Sequence, residues 1–385
     1  MKRLLPVLLA LVGCIPAPTP AEPPPAPSRT FTAGPVAVAA APPWGSEDQL
    51  GAYLDDFVGA IGRKWGEPYA FSGVVAAAKD GKPILVRAYG KANRETGAIA
   101  DADTRFPIGS LTKQFTAMAI LQLQDEGRLR VTDPACRLLS SCPAAWRRVT
   151  VAELLTNSSG IPDYVSLPGY SRLSRQHLTP AQIAALVASE PLLFRPGTRW
   201  SYSNTGYVLL GMIVTRVSGL SYAAFLTRHV FAPLRMRDTG YDVNNPPPGH
   251  ATGYAGWQQP APYIDMSVPY AAGALYSTTA DLSRWDDALM GDGPRIVRPA
   301  TLLEMFRPRI QVVPEDPGEG WYGYGWFIDE NGTEYDHDGL INGFASVNAI
   351  FPAARAEIIV LSNLQTADVR TITERLAALI GLHAR

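Results

Sequence analysis

Hydrophobic residues recur at helical spacing at the start of the ordered region and again in its middle. An amphipathic helix is predicted over residues 47–64 from Leu50, Tyr53, Leu54, Phe57, Val58 and Ile61. Between Phe115 and Leu121 nearly every residue is apolar, which predicts a helix that is buried on all sides. This helix is expected to begin at or near Ser110, after a glycine hinge, and to end at Gly127.

Capping signals and apolar spacing predict further helices. Thr150 and Thr179 each begin a capping-box pattern, the second with proline at the first helical position. Tyr207 to Val217 carries apolar residues at helical spacing and is followed by a glycine that predicts the helix end. Two more helices are expected over residues 280–290 and from about 368 to 381.

Strand patterns lie on either side of this helical stretch. Asp80-Gly81 and Asn331-Gly332 are hairpin signals between pairs of apolar runs. The predicted strands are Phe71–Ala78, Pro83–Tyr89, Tyr322–Ile328, Thr333–His337, Phe344–Phe351 and Ala356–Leu361. They predict an α+β fold: an antiparallel sheet flanked by N- and C-terminal helices, with an all-helical lobe (about 110–265) inserted. About 340 ordered residues exceed what one core usually supports, so we expect two lobes with a cleft between them.

The N-terminal segment, residues 1–14, resembles a lipoprotein-type signal peptide. Met1-Lys2-Arg3 precede an apolar run that is too short to span a bilayer and that ends in Leu11-Val12-Gly13-Cys14. This ending resembles the lipobox of bacterial lipoproteins, in which the cysteine is lipidated and becomes the mature N-terminus. The alternative is an ordinary secretory signal with a chance cysteine. Residues 15–45 are rich in proline and alanine and predict an extended linker to the domain at residues 46–385.

The resemblance to a lipobox implies where the protein works. Ile15 rather than aspartate follows Cys14, which implies a bacterial envelope protein anchored by lipid in the outer membrane and facing the periplasm. In that oxidising compartment Cys136 and Cys142 are expected to close a small loop as a disulfide, with two free thiols as the alternative. The net charge of −1 gives no indication of nucleic-acid binding.

Ser110 and Lys113 are the first candidates for chemistry. Three residues separate them, so on a helix they lie on one face, a single turn apart. Burial and the positive end of the helix dipole both disfavour the ammonium form of Lys113, which makes its amine available as a base for the neighbouring hydroxyl. The alternative is a helix-capping serine beside a lysine that reaches solvent.

Two further motifs follow in a fixed order. Tyr202-Ser203-Asn204 falls in a loop before a helix, and His337-Asp338-Gly339 falls at the end of a predicted strand. Ser-x-x-Lys, Tyr-x-Asn and a basic-x-Gly motif in this order resemble the three motifs of the penicillin-recognising serine hydrolases. Residues 70–365 resemble the class C β-lactamase-like branch, which includes D,D-carboxypeptidases, D-aminopeptidases and β-lactamase-fold esterases.

The resemblance implies a role for each motif residue. Ser110 would attack a carbonyl, Lys113 would take its proton, and Tyr202 would pass a proton to the leaving group. Which of Lys113 and Tyr202 is the base in each half-reaction stays open. Asn204 would orient the substrate, and the backbone N–H groups of Ser110 and Leu340 would form the oxyanion hole. The resemblance implies no metal and no cofactor.

The third motif departs from most β-lactamases and carboxypeptidases, which carry lysine there. No lysine follows Lys113, and His337 stands in that position with Gly339 as its partner in substrate binding. Because histidine is only partly charged near neutral pH, recognition of a substrate carboxylate should be weaker and pH-dependent. Asp338 is expected to counter that charge further. The alternative for His337 is a strand-end histidine that is satisfied by a backbone carbonyl. Relatives often have histidine where Asn157 stands, and the sequence gives no role for this change.

These observations predict an envelope serine hydrolase that forms an acyl-enzyme on a small ester or D-amino-acid peptide. A class C-like β-lactamase or a D,D-carboxypeptidase, acting on β-lactams or peptides, is the first alternative. A non-catalytic penicillin-binding-like sensor or scaffold is the alternative from another class. The set of Ser110, Lys113 and Tyr202 argues against the sensor, because a binding module has no need of a desolvated lysine beside a nucleophile.

Overall fold

The computed structural model describes residues 47–65, 71–244, 246, 248–257, 259–312 and 320–382. The segment that resembles a lipoprotein signal, with Cys14, and the Pro/Ala-rich segment 15–45 lie outside the described residues. The assignments made for those two segments therefore stay predictions.

Strands from both ends of the chain meet in one antiparallel sheet. In chain order the strands are β1 (Gly73–Lys79), β2 (Lys82–Tyr89), β3 (Phe106–Pro107), β4 (Gly240–Tyr241), β5 (Tyr254–Gly256), β6 (Gln259–Pro260), β7 (Leu275–Ser277), β8 (Ile310–Gln311), β9 (Trp321–Tyr322), β10 (Phe327–Ile328), β11 (Tyr335–Ile341), β12 (Phe344–Phe351) and β13 (Ala356–Ser362). The main sheet has the order β10-β11-β12-β13-β1-β2. The N-terminal hairpin joins the C-terminal strands where Gly73 pairs with Ser362, which confirms the predicted sheet.

Helices cover both faces of this sheet. In chain order the helices of the described residues are α1 (Glu47–Trp65), α2 (Thr112–Asp125), α3 (Ala135–Leu138), α4 (Val151–Leu155), α5 (Tyr170–Leu173), α6 (Pro180–Ala185), α7 (Asn204–Ser218), α8 (Tyr222–Leu226), α9 (Tyr270–Gly273), α10 (Thr279–Met290), α11 (Pro299–Met305) and α12 (Val369–Leu379). Alternate residues of β13 face opposite sides. Val360 packs in the core formed with α1 and α12, whereas Ile359 packs in the core formed with the central helices. The strands are therefore buried on both faces.

Local signals read from the sequence are present at several ends of elements. Asp80 and Gly81 both have positive φ (51° and 68°), as expected for the tight turn of a hairpin. Both predicted capping boxes form, at Thr150 and Thr179. Gly219 ends α7 in the left-handed conformation (φ 76°). The buried central helix is confirmed, although it starts two residues later than predicted, at Thr112, after a 3₁₀ turn over Gly109–Leu111.

Two predictions about strands are wrong in detail. The predicted strand Tyr322–Ile328 is interrupted, because β9 pairs with β8 while β10 pairs with β11. Gly325 (φ 81°) turns the chain between them, and a Cβ there would lie 2.9 Å from the carbonyl oxygen of Lys113. The segment 110–265, predicted to be all-helical, also contains the short strands β4, β5 and β6. Strands of two or three residues carry too little alternation to be recognised in a sequence.

Cys136 and Cys142 are joined by a disulfide in the structure. The bond closes a small loop that begins in α3. This is the pairing that the sequence predicted for an oxidising compartment.

Candidate functional site

Ser110 lies in the 3₁₀ turn that leads from β3 into α2. Gly109 directly before it has φ 51°, a conformation that glycine adopts without strain. A Cβ on Gly109 would lie 2.9 Å from the backbone nitrogen of Leu340 in β11. The glycine therefore lets β11 lie directly against the turn that carries Ser110, while the Ser110 side chain stays partly exposed.

Lys113 is completely buried one turn further along the chain. Its Nζ lies 3.0 Å from Ser110 Oγ, 2.9 Å from Asn204 Oδ1 and 2.8 Å from the carbonyl oxygen of Ala272. Burial lowers the pKa of the Lys113 ammonium to about 7, and the negative charge of Asp163 opposes part of that shift. Near neutral pH a large fraction of Lys113 is therefore an uncharged amine.

The partners of Lys113 determine where the lone pair of that amine lies. The Ala272 carbonyl only accepts hydrogen bonds. Asn204 Nδ2 donates to Asp163 Oδ2 at 2.9 Å, so Asn204 presents its oxygen to Lys113. A neutral amine has two N–H groups, which these two oxygens satisfy, and its lone pair then faces Ser110. This arrangement can accept the proton of the Ser110 hydroxyl.

Tyr202 completes the contacts of the serine. Its hydroxyl donates to Ser110 Oγ at 2.7 Å, and the face of its ring lies 4.7 Å from Lys113 Nζ. Burial raises the pKa of Tyr202 well above its usual value, with neighbouring Tyr322 as a smaller cause in the same direction. The phenol therefore keeps its proton at neutral pH and is placed to donate it near the serine oxygen.

Asp163 is the residue of this site to which the sequence gave no role. Its Oδ1 accepts from the backbone N–H of Asn204 at 3.2 Å, and its Oδ2 accepts from the Asn204 side chain. Burial raises the pKa of this carboxyl. Asp163 follows Ile161-Pro162 in a loop, 41 residues before its partner, and local spacing gives no signal for such a contact.

His337 lies on β11, and its ring is enclosed rather than open to the cleft. The side chain is 1% exposed and contacts the rings of Tyr202, Tyr322 and Phe327, with centroid distances of 6.2, 6.0 and 5.2 Å. Nε2 lies 3.1 Å from the Tyr322 hydroxyl, and Nδ1 lies 2.7 Å from the carbonyl oxygen of Asp338. Its role in substrate binding stays a prediction, and a direct contact with substrate would require this ring to move.

The expectation that the Asp338 carboxylate counters the charge of His337 stays a prediction. Successive side chains of a strand point to opposite faces, and Asp338 points to the far face of β11. There its Oδ1 accepts from Arg370 of α12 at 2.5 Å. Gly339 is on the near face again, where a Cβ would lie 2.1 Å from the carbonyl oxygen of Ile108. Gly339 is thus required for close packing, whereas its predicted role in substrate binding stays untested. The side chain of Leu340 is 60% exposed.

A cavity of about 270 Å³ adjoins Tyr202. Its walls are apolar at Leu167, Pro191 and Leu193 and carry two carboxyl groups, Asp163 and Glu190. The residues that line it include no lysine, arginine or histidine. Within the described part of the chain, no three or more His, Cys, Asp or Glu side chains are grouped so as to hold a metal ion.

Comparison with protein families matches residues 58–382 to the Beta-lactamase family. The chain belongs to this family. Penicillin-binding protein 4* of Bacillus subtilis (strain 168) is 31% identical over 320 residues, which cover 77% of this chain and 69% of that protein. The Beta-lactamase family groups serine hydrolases that share one fold, and this fold agrees with the sheet and helices described above.

Solved structures show the same relationship. A penicillin binding protein from Bacillus halodurans superposes with a TM-score of 0.73 at 26% identity, over 84% of this chain and 98% of that chain. A D-stereospecific amidohydrolase from Streptomyces sp. superposes with a TM-score of 0.72 at 27% identity, over 86% of this chain and 98% of that chain. Both likenesses extend over nearly the whole of the related chain.

Proposed function

We propose that the protein is a serine hydrolase that forms an acyl-enzyme on esters or amides, including derivatives of D-amino acids. The observation that carries this proposal is the hydrogen-bonded set around Ser110 Oγ, with Lys113 Nζ at 3.0 Å and the Tyr202 hydroxyl at 2.7 Å. A buried lysine with a lowered pKa beside a hydroxyl is the usual means of activating a serine nucleophile without histidine. It also argues against a sensor or scaffold that only binds.

In the acylation step, neutral Lys113 accepts the Ser110 proton while Oγ forms a bond with the substrate carbonyl carbon. Lys113 rather than Tyr202 is the base in this step, because the Tyr202 hydroxyl donates its proton toward Ser110 Oγ, whereas the lone pair of the neutral Lys113 amine faces it. Tyr202 then gives its proton to the departing oxygen or nitrogen as the carbonyl–leaving-group bond breaks. Water later attacks the acyl-enzyme, and the same groups act in the reverse direction to free Ser110.

The negative charge that develops on the carbonyl oxygen needs donors at the mouth of the site. We assign this role to the backbone N–H groups of Ser110 and Leu340. The close packing of β11 against the turn at Gly109 supports the assignment. A Cβ added to Gly109 would lie only 2.9 Å from the backbone nitrogen of Leu340. The exposed Leu340 side chain would then border the bound substrate.

The charges near the site favour substrates without a carboxylate beside the reacting carbonyl. The cavity next to Tyr202 contains Asp163 and Glu190 and no basic side chain, and the ring of His337 is enclosed. The solved D-stereospecific amidohydrolase of this family supports D-amino-acid amides as one substrate class. The second candidate is a β-lactamase or D,D-carboxypeptidase, which the similarity to penicillin-binding protein 4* favours.

Covalent labelling and a substrate panel test the proposal. Wild-type protein should react with a fluorophosphonate probe and should hydrolyse a p-nitrophenyl ester or D-Ala-p-nitroanilide faster than nitrocefin. Ser110→Ala should lose labelling and turnover with little change in folding, because its hydroxyl makes no capping hydrogen bond at this helix start. Turnover that persists in Ser110→Ala would contradict the acyl-enzyme. Preference for nitrocefin would favour the second candidate.

We also propose that Cys14 is lipidated and anchors the protein in the outer membrane, facing the periplasm. The support is the sequence Leu11-Val12-Gly13-Cys14 after a basic N-terminus and a short apolar run. Cys14→Ala should move the protein from the membrane fraction to the soluble envelope fraction. Unchanged membrane association in this variant would mean that the resemblance to a lipobox is misleading.

A further inference from the structure

Asn157 lies directly behind Tyr202 and contacts the chain on both sides of it. The Asn157 carbonyl oxygen accepts from the backbone N–H of Ser201 at 2.8 Å, and its side-chain Oδ1 accepts from the backbone N–H of Ser203 at 3.1 Å. One buried residue, 1% exposed, thus holds the peptide groups that flank Tyr202. The Tyr202 hydroxyl contacts Ser110, so the placement of this segment sets the 2.7 Å contact.

The backbone of Asn157 is suited to this double contact. Its φ of 55° is left-handed, a conformation that asparagine tolerates better than most residues with a side chain. In this conformation the carbonyl group and the side chain both reach the 201–203 segment. The left-handed turn and the two hydrogen bonds therefore belong to one local arrangement.

We propose that Asn157 is the positioning residue for Tyr202, through its hydrogen bonds to the backbone on both sides of that residue. This inference rests on the proposed function, because it concerns the proton that Tyr202 gives to the leaving group.

Asn157→Gly is the sharpest test, since glycine keeps the left-handed backbone and the Ser201 contact while it removes both ends of the side chain. Arg235→Gly is the matched control, because Arg235 is exposed and has a similar φ of 57°. The measurement is kcat/KM for an ethyl ester and a p-nitrophenyl ester of the same acyl group. An ethoxide leaving group needs a proton, whereas p-nitrophenolate departs without one.

We expect Asn157→Gly to lower kcat/KM about 10- to 100-fold for the ethyl ester and less than about 5-fold for the p-nitrophenyl ester. Arg235→Gly should change neither substrate. In a Tyr202→Phe background, adding Asn157→Gly should have no further effect, because both changes then act through one group.

Equal losses for the two esters, or a full additional loss in the Tyr202→Phe background, would overturn the proposal and leave Asn157 with a purely structural role. Unchanged rates for both esters in Asn157→Gly would overturn it as well. Failure of the proposed function can be distinguished from these results. If the proposed function is wrong, Ser110→Ala keeps its turnover, whatever the Asn157 variants do.

Discussion

Lys113 and Arg370 are two cationic side chains whose surroundings are opposite in kind. Lys113 is completely buried, and its three hydrogen-bond partners, on Ser110, Asn204 and Ala272, are all uncharged. Arg370 is about one-third exposed (34%) and binds the carboxylates of Asp336 and Asp338. The pKa of Lys113 falls to about 7 because burial dominates, whereas the two carboxylates raise the pKa of Arg370 against the effect of its burial.

This difference in surroundings indicates a chemical role for Lys113 on one side of β11 and a structural role for Arg370 on the other side. Asp336 and Asp338 alternate along β11 with His337 and Gly339, so Arg370 holds this strand to α12 from behind. The opposite face of β11 packs against the turn that carries Ser110. Arg370, with its carboxylate partners, holds the strand in place. Lys113, with its uncharged partners, is able to release its proton.

Replacing Lys113 by methionine should have the largest effect. We expect kcat/KM to fall by at least about 10²- to 10⁴-fold, the usual contribution of a general base, while the protein gains stability. The folded pKa of about 7 lies below the ordinary value of 10.5, so the buried ammonium destabilises the wild type most below pH 7. This penalty is of order 5 kcal/mol and is lost as pH rises from about 7 to 10.5.

Urea unfolding at several pH values, together with turnover, checks this prediction. The stability advantage of Lys113→Met should be greatest at pH 6 and should shrink toward pH 10. Lys91→Met, at an exposed position, is the control and should show no such trend. A Lys113→Met protein that is less stable than wild type at pH 6 would mean that the ammonium is better compensated than its neutral partners indicate.

Replacing Arg370 by methionine should reverse this pattern. Two carboxylates on β11 would lose their partner, so we expect a loss of about 1–3 kcal/mol in the free energy of unfolding, between the values for exposed and buried ion pairs. kcat/KM should fall only several-fold, because Arg370 acts on the strand and not on the reacting atoms. Arg298→Met, which breaks an exposed pair with Asp125, is the control, with an expected loss below about 1 kcal/mol. Equal stability of Arg370→Met and wild type would refute the anchoring role.

The sequence predicts some hydrogen-bond partners of Lys113 and Arg370 and not others. Ser110 and Lys113 are one helical turn apart, so local spacing predicts their contact, and it is present at 3.0 Å. Arg370 meets Asp338 across 32 residues, and Lys113 meets Asn204 across 91. Contacts at such separations depend on how the sheet and the helices pack, and single-residue patterns do not encode that packing.

The predicted strand Thr333–His337 ends one residue before Asp338. The observed β11 continues to Ile341, so Asp338 lies within the strand and points to the face opposite His337. No sequence pattern predicts the enclosure of His337 by Tyr322. It depends on the turn at Gly325 that interrupts the predicted strand Tyr322–Ile328 and separates β9 from β10.

The pH dependence of turnover reports the neutral form of Lys113 directly. For an uncharged ester, kcat/KM should rise about tenfold per pH unit below pH 7 and level off above it, because the ammonium cannot accept the Ser110 proton. The midpoint should lie near the lowered pKa of about 7. A rate that falls as pH rises through this range would mean that the protonated form of the site is the active one.

The smallest expected effect comes from Asp163, the carboxylate that approaches Lys113 through Asn204. Its charge raises the pKa of Lys113 against the larger effect of burial, so Asp163→Asn should lower that pKa further. An asparagine at this position still offers one oxygen to the Asn204 side chain, whereas its NH₂ group replaces the oxygen that accepts from the backbone N–H of Asn204. The acid limb of the kcat/KM profile should therefore move to lower pH by less than about one unit, a two- to fivefold gain at pH 6 relative to the plateau.

Glu190→Gln, which removes the other carboxylate of the cavity, is the control and should leave the limb in place, because Glu190 is not among the groups that shift the pKa of Lys113. If the acid limb moves to higher pH in Asp163→Asn, Asp163 acts by orienting Asn204 rather than by its charge. The contrast between the neutral partners of Lys113 and the charged partners of Arg370 would then lose its clearest quantitative support.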